Sequence, residues 1–183
     1  WNLVFTQFDR SKNGDLNELP NPCVDTGMGL ERMAAVLQKK HNNFDTDLFK
    51  PLLQKAAILC GTKDLTDPSL KVISDHMRAS AFLVADGITP SNEGRGYVLR
   101  RIIRRALRHA NKLGAKEPVL SAMVSTLVKQ MSNTFPMLKK SSKLIEANIL
   151  QEEEQFSSTL VQGMSVLEEG VKRLKGKIIP GEL

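Results

Sequence analysis

Cysteine, aromatic residues and long apolar runs are all scarce in this chain of 183 residues, and each shortage excludes a class of protein. The two cysteines, Cys23 and Cys60, stand far apart with no CxxC pair beside either, so they form neither a disulfide framework nor a zinc site. A reducing compartment, the cytoplasm first and a mitochondrion or plastid as the other choices, is the default. His41, His76 and His109 are too dispersed for another metal centre, and no metal site is expected in this segment. No apolar run approaches the roughly 18 residues of a membrane span, and the opening residues lack the basic-then-apolar order of a signal peptide. No membrane partner is expected. Aromatic residues make up 5% of the chain and do not interleave with its arginines, which disfavours stacking on single-stranded bases. The absence of an internal repeat at any period between about 20 and 50 residues argues against a helical solenoid.

What is present is an ordinary globular balance, 41% hydrophobic and 25% charged, enough for one domain or one domain plus part of another. The net charge of +6 is unevenly placed, since residues 1–94 carry net −2 and residues 95–183 carry net +8. A basic half without an apolar anchor points to nucleic acid rather than to a membrane surface.

The chain opens on Trp1 rather than Met and closes without a natural stop, and it reads as a segment of something longer. Residues 1–8 are aromatic and β-branched in alternation, which predicts a strand with at least one buried face. Asn13-Gly14 supplies a hairpin turn, and a short return strand is expected at residues 16–19, interrupted by Pro20 and Pro22. Beyond a strand-to-helix junction at residues 25–32 the chain reads as helical. Asp45 is the expected cap of a helix ending at Gly61, and Asp67-Pro68 opens a second that Asp86-Gly87 ends. Tyr97 begins a third, stopped by Gly114, and Glu117-Pro118 begins a fourth. Residues 141–174 predict one long amphipathic helix.

Two segments carry chemistry. Asp25-Thr26-Gly27-Met28-Gly29-Leu30-Glu31-Arg32 places a carboxylate at a strand end, two glycines at a turn, and an arginine in the first turn of a helix. That combination suits a small zwitterion and a phosphate: Asp25 meets an ammonium, Gly27 and Gly29 let ligand atoms approach the backbone, and Arg32 offers its donor fork to phosphate oxygens. The competing reading is a cap, a turn and a solvated pair.

The second segment, Val98-Leu99-Arg100-Arg101-Ile102-Ile103-Arg104-Arg105-Ala106-Leu107-Arg108-His109, alternates pairs of apolar and basic residues every four positions. Four helical residues turn through about 400°, so the pattern gives one apolar and one arginine face. Arg95, Arg100, Arg101, Arg104, Arg105 and Arg108 place six guanidiniums within 14 residues. Their mutual repulsion favours phosphates against that face, and arginine matches phosphate bidentately. The alternatives are a solvated face or ion pairs with Glu152, Glu153 and Glu154. A duplex gripped by its backbone fits better than a single strand, with Ser91-Asn92-Glu93 as candidate base readers. Asn92 as a simple turn residue is the competing reading. Ser74, Asp75 and His76 are neighbours on a helix that point different ways, so they are not a hydrolytic triad.

Together, Val24 to Arg32 and Pro90-Ser91-Asn92-Glu93-Gly94-Arg95-Gly96-Tyr97 through Arg105 resemble the alanyl-tRNA synthetase family. Trp1-Asn2-Leu3-Val4-Phe5, Asp45-Thr46-Asp47-Leu48-Phe49, Ala85-Asp86-Gly87 and Glu152-Glu153-Glu154-Gln155-Phe156 add to the likeness, which covers essentially the whole chain. The resemblance implies a mainly α fold: a short antiparallel β piece of a class II catalytic domain in residues 1–40, then a helical tRNA-recognition domain in residues 41–183, incomplete at its C-terminal end. It implies ATP-dependent activation of alanine and transfer to tRNA(Ala), with ATP and Mg2+ serving the intact enzyme. By the same resemblance Asp25 holds the alanine ammonium, Val4 and Gly27 line the alanine pocket, and Gly29 and Arg32, the motif 3 arginine, serve ATP. Asn92 is similar to the asparagine that contacts the G·U pair of the tRNA acceptor stem, and Arg95, Arg100, Arg101, Arg104, Arg105 and Arg108 hold that stem. Motifs 1 and 2 would precede Trp1 and a second base reader would follow Leu183, so the segment alone is expected to be inactive. The alternative is a non-catalytic helical RNA-binding module.

Overall fold

The β-prone opening and the Asn13-Gly14 turn form a ribbon. The computed structural model describes residues 2–173; Trp1, Leu174 and the residues after it, on which the first strand and last helix were also expected to run, lie outside the described residues. Strand β1 (Asn2–Arg10) pairs antiparallel with β2 (Leu16–Gly27). The turn closes where Gly14 adopts φ 95°, a left-handed conformation that glycine adopts without steric cost, and where the Gly14 N–H donates to the Ser11 carbonyl at 3.0 Å.

The ribbon differs from expectation twice. Strand β2 does not stop at the prolines: Thr6 pairs with Cys23 and Phe8 with Glu18, so residues 19–22 stand opposite Gln7 alone. Pro20 and Pro22 fall in that irregularity, where the missing proline N–H costs no ladder bond. The expected buried face is also absent, since Leu3, Val4, Phe5 and Val24 are all more than half exposed. Two strands alone have no second layer to cover them.

Helix α1 (Leu30–Leu37) starts directly after Gly29. A 3-10 turn (Asn43–Asp45) follows, capped by the Asn42 side chain, which accepts the Phe44 N–H at 3.0 Å. Gln38 folds this segment back on the helix: its Nε2 donates to Asp47 Oδ1 at 2.6 Å, and its Oε1 accepts the Asp47 N–H at 3.1 Å. One compact unit ends at Leu48 and a second begins at Phe49.

In the second unit, α2 (Lys50–Cys60) begins after the place expected from Asp45, because Asp45 belongs to the 3-10 turn and Pro51 fits the first helical turn. Gly61 ends it at φ 69°. Helix α3 (Pro68–Ala85) follows the expected cap, with Asp67 Oδ1 accepting the Ser69 N–H at 2.7 Å. Helix α4 (Gly94–Lys112) begins ahead of Tyr97, and α5 (Leu120–Met131) begins just after Pro118. A short α6 (Pro136–Lys140), not anticipated, precedes α7 (Ser142–Arg173), which is continuous as expected over its described length.

Helix α3 packs on α2, α4, α5 and α7, and its Leu70, Ile73, Met77 and Ala81 are fully buried. Leu52, Leu99, Ile103, Leu120, Leu127, Ile145 and Ile149 complete the core from the surrounding helices, each worth about 1.5–3 kcal/mol by burial. Residues 161–169 of α7 are all exposed. Among the described residues, no helix is long and apolar enough to cross a membrane.

Candidate nucleic-acid interface and small-ligand site

The ribbon and α1 carry the first group of predicted residues. Val4 and Asp25 are direct cross-strand partners, so their side chains share one face of the ribbon. Gly27 lies two residues further along β2 and keeps to the same face. Gly29 is the N-cap of α1, and Arg32 lies in that helix's exposed first turn. Neither glycine has a positive φ, and nothing lies within 4 Å of a Cβ built on Gly27. At Gly29 the nearest atoms to such a Cβ, on Arg32 and Glu31, are at an ordinary 3.9 Å. The fold of this chain thus needs glycine at neither position.

The second group lies on α4 and the loop before it. Leu99, Ile103, Ala106 and Ala110 form the buried stripe of α4, with Gly96 at its start. Gly96 is fixed by a close approach: a Cβ there would collide with the Thr89 carbonyl oxygen and the Ser91 side chain, whose Cβ would be 2.9 Å away. The loop bearing Asn92 is therefore pressed onto the helix. Ser91 Oγ donates to the Glu93 carbonyl at 2.8 Å, and Arg100 donates from Nη1 to Asn92 Oδ1.

The six arginines do not form one face. Arg100 and Arg104, one turn apart, both reach Glu152 of α7: Arg104 Nε donates to Oε1 at 2.6 Å and Arg100 Nε to Oε2 at 3.2 Å. The Glu152 side chain is 3% exposed, so this is a desolvated pair of bonds rather than a surface contact. Arg104 also lies over the Phe156 ring, with its guanidinium carbon 5.3 Å from the centroid. Arg95, Arg101, Arg105 and Arg108 are exposed, and among the described residues no carboxylate lies within ion-pairing distance of them. Arg101 lies over Tyr97 at 5.8 Å. The internal ion pairing weighed from sequence accordingly holds for Glu152 with two arginines, while four keep their charge available.

The resulting field reaches neighbouring titratable groups. Burial lowers the pKa of His109, and Arg108, Arg105 and Lys112 lower it further. Asp75, on α3, is held below the usual carboxylate range first by its hydrogen bond to His76, 2.9 Å away, with Arg78 and Arg105 adding to the effect. His76, Val98, Ile102 and Phe156, with Arg101, Arg104, Arg105 and Arg108, line a shallow depression of about 560 Å³ over this basic surface. Ser74 is buried with its Oγ donating to the Leu70 carbonyl at 2.8 Å, so its hydroxyl is committed to its own helix.

The sequence offers Glu153 as an ion-pair partner for the arginines. It instead caps α5 from α7: Oε1 accepts the Val119 and Leu120 N–H groups at 2.9 Å each, and Oε2 accepts that of Ser121 at 2.8 Å. A sequence signal existed for both acids, because Ile145, Ile149, positions 152 and 153, and Phe156 continue one helical stripe. Acids on an apolar stripe must find buried partners.

The family model for tRNA synthetases class II (A) matches residues 1–183. The alanine–tRNA ligase of Hydrogenovibrio crunogenus is 56% identical over 181 residues, covering 99% of this chain and 21% of that protein. The alanine–tRNA ligase of Chromohalobacter salexigens is 55% identical over 182 residues, and that of Pseudoalteromonas translucida 52% over 183, each across 100% of this chain and 21% of the relative. The chain thus spans about a fifth of the length of the curated relatives it matches. With a mainly helical fold, a two-stranded antiparallel ribbon and a family match over its full length, the chain belongs to the class II (A) tRNA synthetases.

Proposed function

We propose that this chain is the part of an alanine–tRNA ligase that joins the end of the alanine-activating site to the helices gripping the acceptor stem of tRNA(Ala). The observation that carries the reading is the divided arginine helix. Arg95, Arg101, Arg105 and Arg108 are left without carboxylate partners among the described residues, beside a loop that presents Asn92 at the exposed start of α4. A solvated helix has no need of so many uncompensated guanidiniums, and a phosphate backbone supplies the missing charge. Asn92, tied to Arg100, reads the G·U pair, and Arg104 grips the stem from the same helix as Arg100.

On the ribbon, Asp25 binds the ammonium of alanine, with Val4 opposite it and Gly27 leaving room for the substrate. Support comes from the cross-strand pairing of Val4 with Asp25, and from glycines at 27 and 29 that backbone geometry does not require. Arg32, after Gly29, holds ATP phosphate. The alanine carboxylate attacks the α-phosphorus of ATP and expels pyrophosphate; the terminal adenosine hydroxyl of tRNA then takes the alanyl group and releases AMP. Arg32 contributes charge stabilisation to the first step. ATP with Mg2+ serves the intact enzyme in this reading. The cytoplasm is the proposed compartment, in keeping with an exposed free Cys23.

The test is binding of the purified chain to an alanine acceptor-stem duplex and to the same duplex with G·U changed to G·C, at two salt concentrations. Salt-sensitive binding with a G·U preference that Asn92→Ala abolishes is the expected result. Absence of salt-sensitive binding overturns the reading of α4.

A further inference from the structure

Resting on that reading of α4, we propose that Glu152 is a positioning residue for nucleic-acid recognition: a buried anion that fixes Arg100 and Arg104, and through Arg100 the loop residue Asn92, as one preformed array.

The argument starts from which nitrogens are used. Glu152 takes the Nε of both arginines, one on each carboxylate oxygen. That leaves the terminal Nη groups, of which Arg100 spends Nη1 on Asn92. Arg104 is held on its edge by Glu152 and on its face by Phe156, so its guanidinium plane is fixed while its Nη groups stay available. The arginine side chains are 18% and 29% exposed against 3% for the glutamate, which makes the carboxylate the buried hinge and the guanidiniums the accessible ends. A free arginine must lose much rotamer freedom on gripping a phosphate or a groove edge; these two have lost it beforehand.

The position of this acid is otherwise paradoxical. It removes charge from a surface whose partner is an anion, and electrostatics alone predicts that deleting it tightens binding. Positioning predicts the opposite sign, and this difference makes the inference testable.

The experiment compares the 183-residue chain with its Glu152→Gln variant, which adds one net positive charge to a chain at +6 while preserving side-chain shape. Affinity for the G·U acceptor-stem duplex should fall about tenfold despite the added charge. In 15N-edited NMR the two slowly exchanging arginine Nε–H signals expected in the wild type should collapse to the exchange-broadened position of free arginine. A circular dichroism spectrum and urea midpoint establish that the variant is folded. If it is not, Arg100→Lys serves instead, because it keeps the charge and can still pair with Glu152 but cannot hold Asn92 at the same time; the same loss of about tenfold is expected. Unchanged or tighter binding by the folded variant, or by Arg100→Lys where that is the variant used, overturns the role of Glu152. Failure of the wild-type chain to bind either duplex instead overturns the assignment of α4 itself, so the two failures are distinct.

Discussion

Glu152 and Glu153 are neighbours in α7, both buried, yet they serve different parts of the molecule: Glu152 binds Arg100 and Arg104 of α4, and Glu153 accepts the first N–H groups of α5. One residue step on a helix turns a side chain by about 100°, which is enough to aim two identical carboxylates at two different helices. The pair joins α7 to both.

Replacing Glu153 with alanine leaves three buried N–H groups without an acceptor and removes a negative charge from the positive end of α5. A loss of about 3 kcal/mol in urea unfolding is expected, whereas Glu154→Ala, at an exposed position, should change stability by less than about 0.5 kcal/mol. Equal effects would show that the cap carries no weight.

Gly96→Ala should cost about 2 kcal/mol, because the added Cβ meets the fixed Thr89 carbonyl and the Ser91 side chain. The loop must lift from α4, so the Arg100–Asn92 bond should weaken as well. Thermal unfolding and the Arg100 side-chain NMR signal would show both effects.

The two thiols should behave oppositely. Burial raises Cys60 from an ordinary 9.0 to about 11, while Cys23 is exposed. At pH 8 only about 0.1% of Cys60 is then thiolate, so a thiol reagent should titrate Cys23 alone until urea is added. The folded chain keeps the Cys60 proton that the unfolded chain releases, so stability should fall as pH rises from 9.0 towards 11, and Cys60→Ala should remove that slope.

His109 titrates below the ordinary imidazole value through burial and the nearby cations Arg108, Arg105 and Lys112. Bound phosphates offset those cations and favour the charged ring, so its pKa should rise when the acceptor-stem duplex is added. An NMR titration of the ring protons measures this, and an unchanged value would place the phosphates elsewhere.

In a full-length alanine–tRNA ligase carrying this segment, Asp25→Ala or Arg32→Ala should slow adenylate formation by about 100-fold or more and leave acceptor-stem affinity within about twofold. Pyrophosphate exchange and duplex binding separate the two effects. Equal losses in both would remove the ribbon from the alanine and ATP sites.

Local chemistry was readable wherever a residue acts on its own neighbours. Gly14, Gly61, Gly87 and Gly114 take the positive φ angles that their turns and helix ends require, and Asp67 caps α3 as its sequence predicts. The prolines of β2 misled because their tolerance depends on a register irregularity across the ribbon, and Asp45 misled because the next helix starts where Pro51 allows.

By itself the sequence determined the family, the helical class and most of the turn and cap positions. Tertiary structure decided how the arginines are divided. A four-residue repeat of paired arginines spreads residues 100–108 over an arc of about 140°, and only the packing of α7 beside α4 selects Arg100 and Arg104, at one edge of that arc, for Glu152 and leaves Arg101, Arg105 and Arg108 to solvent. Periodicity fixes directions around one axis; what lies in each direction is set by a second helix distant in the chain.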